Sequence, residues 1–224
     1  MNKAIIFDFD GTIAETIPLT LQAIRAAYAD NSLPVPTEET IVSNFGANEY
    51  GMFYKMSPDC ADKLFESYLS EYAALHEKYS PKPFEGIVDV LHKIKNSGWK
   101  LGLVTGKHQR ALELSLYYYG LKGVFDGIRC GGIDRSIKTK NISSLLAEWE
   151  IKPENSWYIG DVASDISDAR AAGAHPLSAA WAHTKLAHLQ ELEALAPEKI
   201  FKSVKEFGTW INNLLNNYDS INNI

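Results

Sequence analysis

The chain has 224 residues, 46% of them hydrophobic and 22% charged, with a net charge of −6. That length holds one domain, or a domain with a small insertion, and enough apolar residue for a core; disordered, collagen-like and coiled-coil classes are excluded. The acidic balance, with no basic block, argues against nucleic acid or an anionic membrane as the main partner.

Cys60 and Cys130 lie far apart without metal-type spacing, so two separate thiols are expected rather than a disulfide framework. The apolar run after Met1 is too short for a secretion signal and no run reaches membrane-spanning length, so a cytoplasmic protein is expected.

In chain order, the four apolar residues at 4–7 predict a strand buried on both faces, ending in Asp8-Phe9-Asp10-Gly11-Thr12. Side chains alternate along a strand, so Asp8 and Asp10 leave on the same side. Gly11 permits a sharp turn, and the amides beyond it can face an anion. Two acids aimed at one spot repel unless a cation or a shared proton relieves them, and Mg²⁺ suits hard oxygen donors. A solvated acidic strand end is the alternative. An amphipathic helix is predicted over 18–30, a break with two prolines over 31–36, and a helix start at Thr37, whose hydroxyl can cap. The run 45–51 reads as another break. A long helix over 58–79 carries Cys60, Leu64, Tyr68, Tyr72 and Leu75 on one face. With no strand between about 15 and 80, this block is expected to be a helical insertion.

From 84 onward strands and helices alternate. A helix over 87–96 turns Val90, Leu91 and Ile94 inward and is closed by Gly98. Strands follow at 100–104, 124–130, 157–159 and 176–181, separated by helices at 108–119, 142–149 and 166–172. A last helix spans 204–215, ahead of an Asn-rich end expected to fray. The pattern predicts an α/β fold: a Rossmann-like parallel sheet in the order 5-4-1-2-3 with helices on both faces. Residues 1–14 and 82–224 would form the core and 15–81 a small helical cap.

In such a sheet function gathers just past the carboxyl ends of the strands. After the second strand stand Thr105, Gly106 and Lys107. A hydroxyl, a free amide and a helix start suit a phosphate oxygen, with an ordinary N-cap by Thr105 as the plainer reading. The polar loop after the third strand holds Arg135, Lys138 and Lys140. A lysine entering a helix there can carry its ammonium to two carboxylates and a phosphate, or simply face solvent. The fourth strand ends in Gly160-Asp161, and Asp165 follows one helical turn later on the same face. A capping Asp161 with a solvated Asp165 is the alternative.

Taken in order, Asp8-Phe9-Asp10-Gly11-Thr12, Thr105, the loop lysine and Gly160-Asp161 with Asp165 resemble the four motifs of the haloacid dehalogenase-like phosphohydrolases. The resemblance covers 1–14 and 82–185. Ala169-Arg170-Ala171-Ala172-Gly173-Ala174 and Ala180-Trp181-Ala182-His183 look like the phosphoglycolate phosphatase-like branch. Three features depart from it. The motif lysine is often followed by proline and here is not, Glu15 stands where relatives often have Asp, and the insertion matches the family's cap only in position and helicity.

The resemblance implies a Mg²⁺-dependent phosphatase that hydrolyses a small phosphomonoester through an aspartyl-phosphate. Asp8 would be the nucleophile and Asp10 the general acid and base. Gly11, Thr105, Gly106 and Lys138 would surround the phosphate. Asp8, the Asp10 carbonyl and Asp161 would hold Mg²⁺, with Asp165 behind them. Lys138 is preferred to Lys140 because Ile142, Leu145 and Leu146 then fall on the buried face of the next helix. A phosphosugar mutase of the β-phosphoglucomutase type would use the same core. A non-catalytic binding module would be expected to lack one of Asp8, Asp10, Lys138 or Asp161, and all four are present. A dehalogenase would need neither Asp10 nor Mg²⁺. The expected partner is a small phosphorylated metabolite and the expected state a monomer or homodimer. Asn44, Gly46, Asn48, Glu49 and Tyr50 are candidates to face the leaving group, although a surface turn accounts for each.

Overall fold

A computed structural model describes residues 3–79, 81–182 and 189–222. The sheet contains β1 (Ala4–Phe7), β2 (Lys100–Val104), β3 (Gly127–Arg129), β4 (Ser156–Gly160), β5 (His175–Ala179) and β6 (Lys199–Phe201). All neighbours are parallel, in the order β3-β2-β1-β4-β5-β6. This is the expected five-strand order with β6 added beyond β5. Three residues with one buried side chain leave no pattern to read, so β6 is invisible in the sequence.

β1 lies centrally, Ile5 pairing with Leu101 on one side and Trp157 on the other. Its alternation distributes four apolar side chains to two layers. Ile5 and Phe7 join a cluster with α5 (Ile87–Asn96), α6 (Gln109–Tyr118) and α10 (Val204–Asn222). Ala4 and Ile6 join a second cluster with α7 (Lys138–Glu148) and α8 (Ala163–Ala171). The third strand is shorter than expected. Val124 and Phe125 are buried before it begins, and the Asp126 carboxylate accepts from the Leu101 amide at 2.8 Å.

Residues 17–79 contribute no strand to the sheet and form α1 (Ile17–Asp30), α2 (Glu38–Val42), α3 (Glu49–Met56) and α4 (Ala61–Tyr79). A 3₁₀ turn, Pro58–Cys60, replaces the start expected for the long helix. The block has its own aromatic core, in which Tyr68 stacks on Tyr72 at 5.5 Å and on Phe65 at 6.1 Å. Ala111 of α6 belongs to the same cluster and seats the block on the sheet layer. The chain leaves and returns at one place, where Ala14 and Pro83 form an antiparallel bridge.

The break expected over 45–51 is only half right. Asn48 accepts from the Gly51 amide at 2.9 Å and starts α3. A Cβ at Gly51 would lie 1.9 Å from the Ile133 carbonyl oxygen, so glycine lets α3 touch the loop before α7. Asn48 reinforces that contact by bonding the carbonyls of Gly131 and Gly132 at 2.9 and 2.8 Å. Among the described residues no helix is long and apolar enough to cross a membrane. The last helix runs on to Asn222, past its expected end; residues 223–224, where fraying is expected, and His183 lie outside the described residues.

Candidate active site

The carboxyl ends of β1, β2 and β4 converge with the start of α7 on a cavity of about 510 Å³, whose floor includes Asp8, Thr105, Lys138 and Asp161. Asp8 leaves β1 with its amide still bonded to the Ile159 carbonyl at 2.8 Å, which holds it in line with the sheet. Its Oδ1 accepts from the Phe9 amide at 2.7 Å and its Oδ2 from Lys138 Nζ at 2.7 Å. Lys138, the first residue of α7, also reaches Asp165 Oδ1 at 2.5 Å, and Lys140 is exposed. Asp165 is 1% exposed, which overturns its solvated alternative. It accepts from the Val162 amide at 3.2 Å and the Tyr158 hydroxyl at 3.3 Å.

Asp8, Asp161 and Asp165 are buried and offer oxygens within 4.8 Å of one another. Gly11 permits this: its φ is +73°, and a Cβ there would lie 2.2 Å from Asp161 Oδ2. Three buried acids around one ammonium are short of positive charge. Burial, and secondarily Asp165 and Asp10 against the opposing pull of Lys138, pushes Asp8 up to about 6. Burial, then Asp165 and Asp8, raises Asp161 well above the usual carboxylate range. Burial disfavours the charge of Lys138, but the facing Asp165 and Asp8 outweigh it and hold the ammonium firmly protonated. Hard oxygens, clustered and under-compensated, fit Mg²⁺.

The Asp10 carboxylate has different partners. It accepts from the Thr16 hydroxyl and from Lys107 Nζ, at 3.2 Å to Oδ1. Lys107, 3% exposed, lies 3.1 Å from Glu49 Oε1 and 3.4 Å from the Thr20 hydroxyl, with its ammonium 4.9 Å from the Tyr72 ring centroid. Burial works against that charge as well, and Asp10, Tyr72 and Glu49 restore it. Glu49 is satisfied in turn by the His108 amide at 2.5 Å and the Tyr68 hydroxyl at 3.2 Å.

Thr105 is fully buried and its hydroxyl accepts from the Lys107 amide at 3.2 Å. The N-cap expected of it is made instead by His108, whose Nδ1 accepts from Arg110. Gly106 lines the cavity beside Thr105. Of the five candidates from the helical block, Gly46 and Glu49 line the cavity and Asn48 docks α3 on the core. Asn44 bonds the Thr40 carbonyl and Tyr50 bonds Asp62, so both serve their own surface. Lys107 and Thr16 are site residues that the sequence motifs do not mark. A lysine two residues past a strand-end threonine was the available signal for the first, and nothing local marked the second.

The sequence model of the haloacid dehalogenase-like hydrolase family matches residues 5–179. A pyrophosphatase PpaX from Anoxybacillus flavithermus is 26% identical over 193 residues, covering 85% of this chain and 89% of its own length. A phosphoglycolate phosphatase from Synechococcus elongatus is 25% identical over 219 residues, covering 90% and 93%. The crystal structure of CbbY from Rhodobacter sphaeroides in complex with phosphate has the same fold, with a TM-score of 0.73 at 19% identity over 91% of this chain and 95% of that one. The chain belongs to the haloacid dehalogenase-like hydrolases.

Proposed function

We propose that this hydrolase of the phosphatase type cleaves a small phosphomonoester through an aspartyl-phosphate on Asp8, with Mg²⁺ as its cofactor. The observation that carries the reading is the Lys138 ammonium held between Asp8 and Asp165, with Asp161 completing the acid cluster at the cavity floor. Asp8, the Asp10 carbonyl and Asp161 would hold Mg²⁺, which supplies positive charge against the phosphoryl oxygens.

Asp8, oriented by the Phe9 amide and Lys138, attacks phosphorus in line with the departing alcohol. Asp10, fixed by Thr16 and Lys107, gives its proton to that alcohol and then takes one from the water that hydrolyses the aspartyl-phosphate. The Thr105 hydroxyl, the Gly106 amide and the Lys138 ammonium face the equatorial oxygens, whereas the Gly11 amide, expected there, is spent on the Ala14 carbonyl at 2.9 Å and Gly11 serves as the turn. Residues 1–14 and 82–224 act as the catalytic core and 15–81 as a cap over it. The protein works in the cytoplasm, as a monomer or homodimer, on a small phosphorylated metabolite. The pyrophosphatase and phosphoglycolate phosphatase among its relatives support the reaction class.

Phosphate release from p-nitrophenyl phosphate and a panel of small phosphate esters tests the reading. Turnover should need Mg²⁺ and vanish in Asp8→Asn. Turnover that survives either excess EDTA or that substitution defeats it.

A further inference from the structure

The wall opposite the acid cluster is apolar. Ile17, Val42, Phe45, Ala47 and Met52 line the cavity on the side of the helical block. Among the described residues the charged side chains lining it are four acids, Asp8, Asp10, Glu49 and Asp161, against two lysines, Lys107 and Lys138. Neither lysine is available to a second anionic group. An ammonium has three N–H bonds, and Lys107 spends its own on Asp10, Glu49 and Thr20. Lys138 is committed to Asp8 and Asp165 at the opposite end. Even with a divalent cation beside Asp8 and Asp10 carrying the proton it gives to the alcohol, the transferring phosphoryl dianion turns the balance of these charges negative. A carboxylate or second phosphate placed among these apolar side chains would lose its hydration without gaining a partner. An uncharged body placed there removes apolar surface from water on both sides. The volume suits it: about 510 Å³ accommodates a phosphoryl group and a small organic residue.

Resting on the phosphatase reading, we infer that the substrate is the monophosphate of an uncharged alcohol with an apolar body, seated against Ile17, Val42, Phe45, Ala47 and Met52. This sets the chain apart from pyrophosphate and phosphoglycolate chemistry, since both of those molecules carry a second anionic group.

Two non-hydrolysable probes test the assignment. Benzylphosphonate carries an apolar body and phosphonoacetate a carboxylate, and calorimetric titration of the Mg²⁺-loaded protein compares them. Benzylphosphonate should bind about tenfold tighter or more, the discrimination an apolar pocket gives. Benzyl phosphate should exceed phosphoglycolate and pyrophosphate in kcat/KM by a similar factor. Val42→Lys places a free ammonium on the wall at a half-buried helix end and should narrow the binding ratio by raising phosphonoacetate affinity. Tighter binding of phosphonoacetate by the wild type, no binding of either phosphonate, or an unchanged ratio in Val42→Lys overturns the inference. Selective benzylphosphonate binding with no turnover of any ester instead overturns the phosphatase reading and leaves the pocket assignment standing.

Discussion

Two buried lysines, each bridging carboxylates, stand at opposite ends of the cavity, and they differ in who supplies their partners. Lys138 is held by Asp8 and Asp165, both on the sheet core, so its carboxylate partners need no residue of the helical block. Lys107 is held by Asp10 on the core and by Glu49 and Thr20 on the helical block, so its surroundings are complete only when that block is seated. The first finds all its carboxylate partners on the core; the second finds one of them across an interface.

The sharpest way to break the comparison is at the floor. Asp8→Asn should lower turnover by at least ~10⁴-fold in phosphate-release assays, as removal of a nucleophile does; a residual rate within tenfold of wild type would remove Asp8 from the chemistry. Asp10→Asn should cost ~10²–10⁴-fold on an alkyl phosphate and less on p-nitrophenyl phosphate, whose leaving group needs no proton. A burst of nitrophenol followed by a stall marks loss of the base for the second step, and equal slowing of both substrates without a burst would make Asp10 structural.

Next come the lysines. Breaking a buried pair typically costs ~3–5 kcal/mol, and Lys138→Met should approach the upper end because three buried acids then lose their ammonium. Lys107→Met should fall toward the lower end, because Glu49 keeps the His108 amide and Tyr68 hydroxyl. Denaturant midpoints measure both. Hydrogen exchange separates them: amides of α3 should lose protection in Lys107→Met while those of β1 keep theirs. Equal loss in both elements would mean that Lys107 does not tie the block to the core.

Titration pulls the two regions in opposite directions. Burial raises Asp8 from 3.8 to about 6, so in metal-free protein its folded form keeps a proton the unfolded chain has lost, and its contribution falls as pH rises across that interval. Burial, helped by Lys107, lowers His76 on α4 from 6.5 to about 4. Its contribution is therefore lost as pH falls through that range. His76→Phe should make the metal-free protein relatively more stable by ~1–3 kcal/mol near pH 4, with little difference at pH 7; thermal melts across that range decide it. The smallest effect is expected at the rim, where exposed Arg110 of α6 pairs with Glu66 of α4. Arg110→Ala should cost under ~1 kcal/mol, falling further with added salt.

The same division governs what the sequence reveals. The floor is written locally: an apolar strand, a carboxylate at its end and a glycine beside it occupy consecutive positions, and Asp8, Thr105 and Asp161 stand where such runs end. The wall is written across distance. Glu49 reads as part of a polar turn because its partners, Lys107, His108 and Tyr68, come from elsewhere in the chain. Asn48 three residues before Gly51, followed by Met52 and Phe53, was a legible helix start that the turn-like composition of 44–51 concealed. β6 and the pairing of Lys107 with Asp10 and Glu49 have no local signature.

The docking of α3 through Gly51 and Asn48 onto the loop before α7 bears on how this protein can be recombined. The bridge between Ala14 and Pro83 looks like a natural cut site, since the two segments of chain pass there side by side. Yet the loop that receives α3 also leads directly into Lys138. A chimera that exchanges residues 15–82 with those of a relative would carry a foreign helix onto this loop and disturb the lysine's approach to the nucleophile. Residues 131–137 therefore travel with the insertion as part of the same exchangeable module, although some fifty residues separate them in the chain.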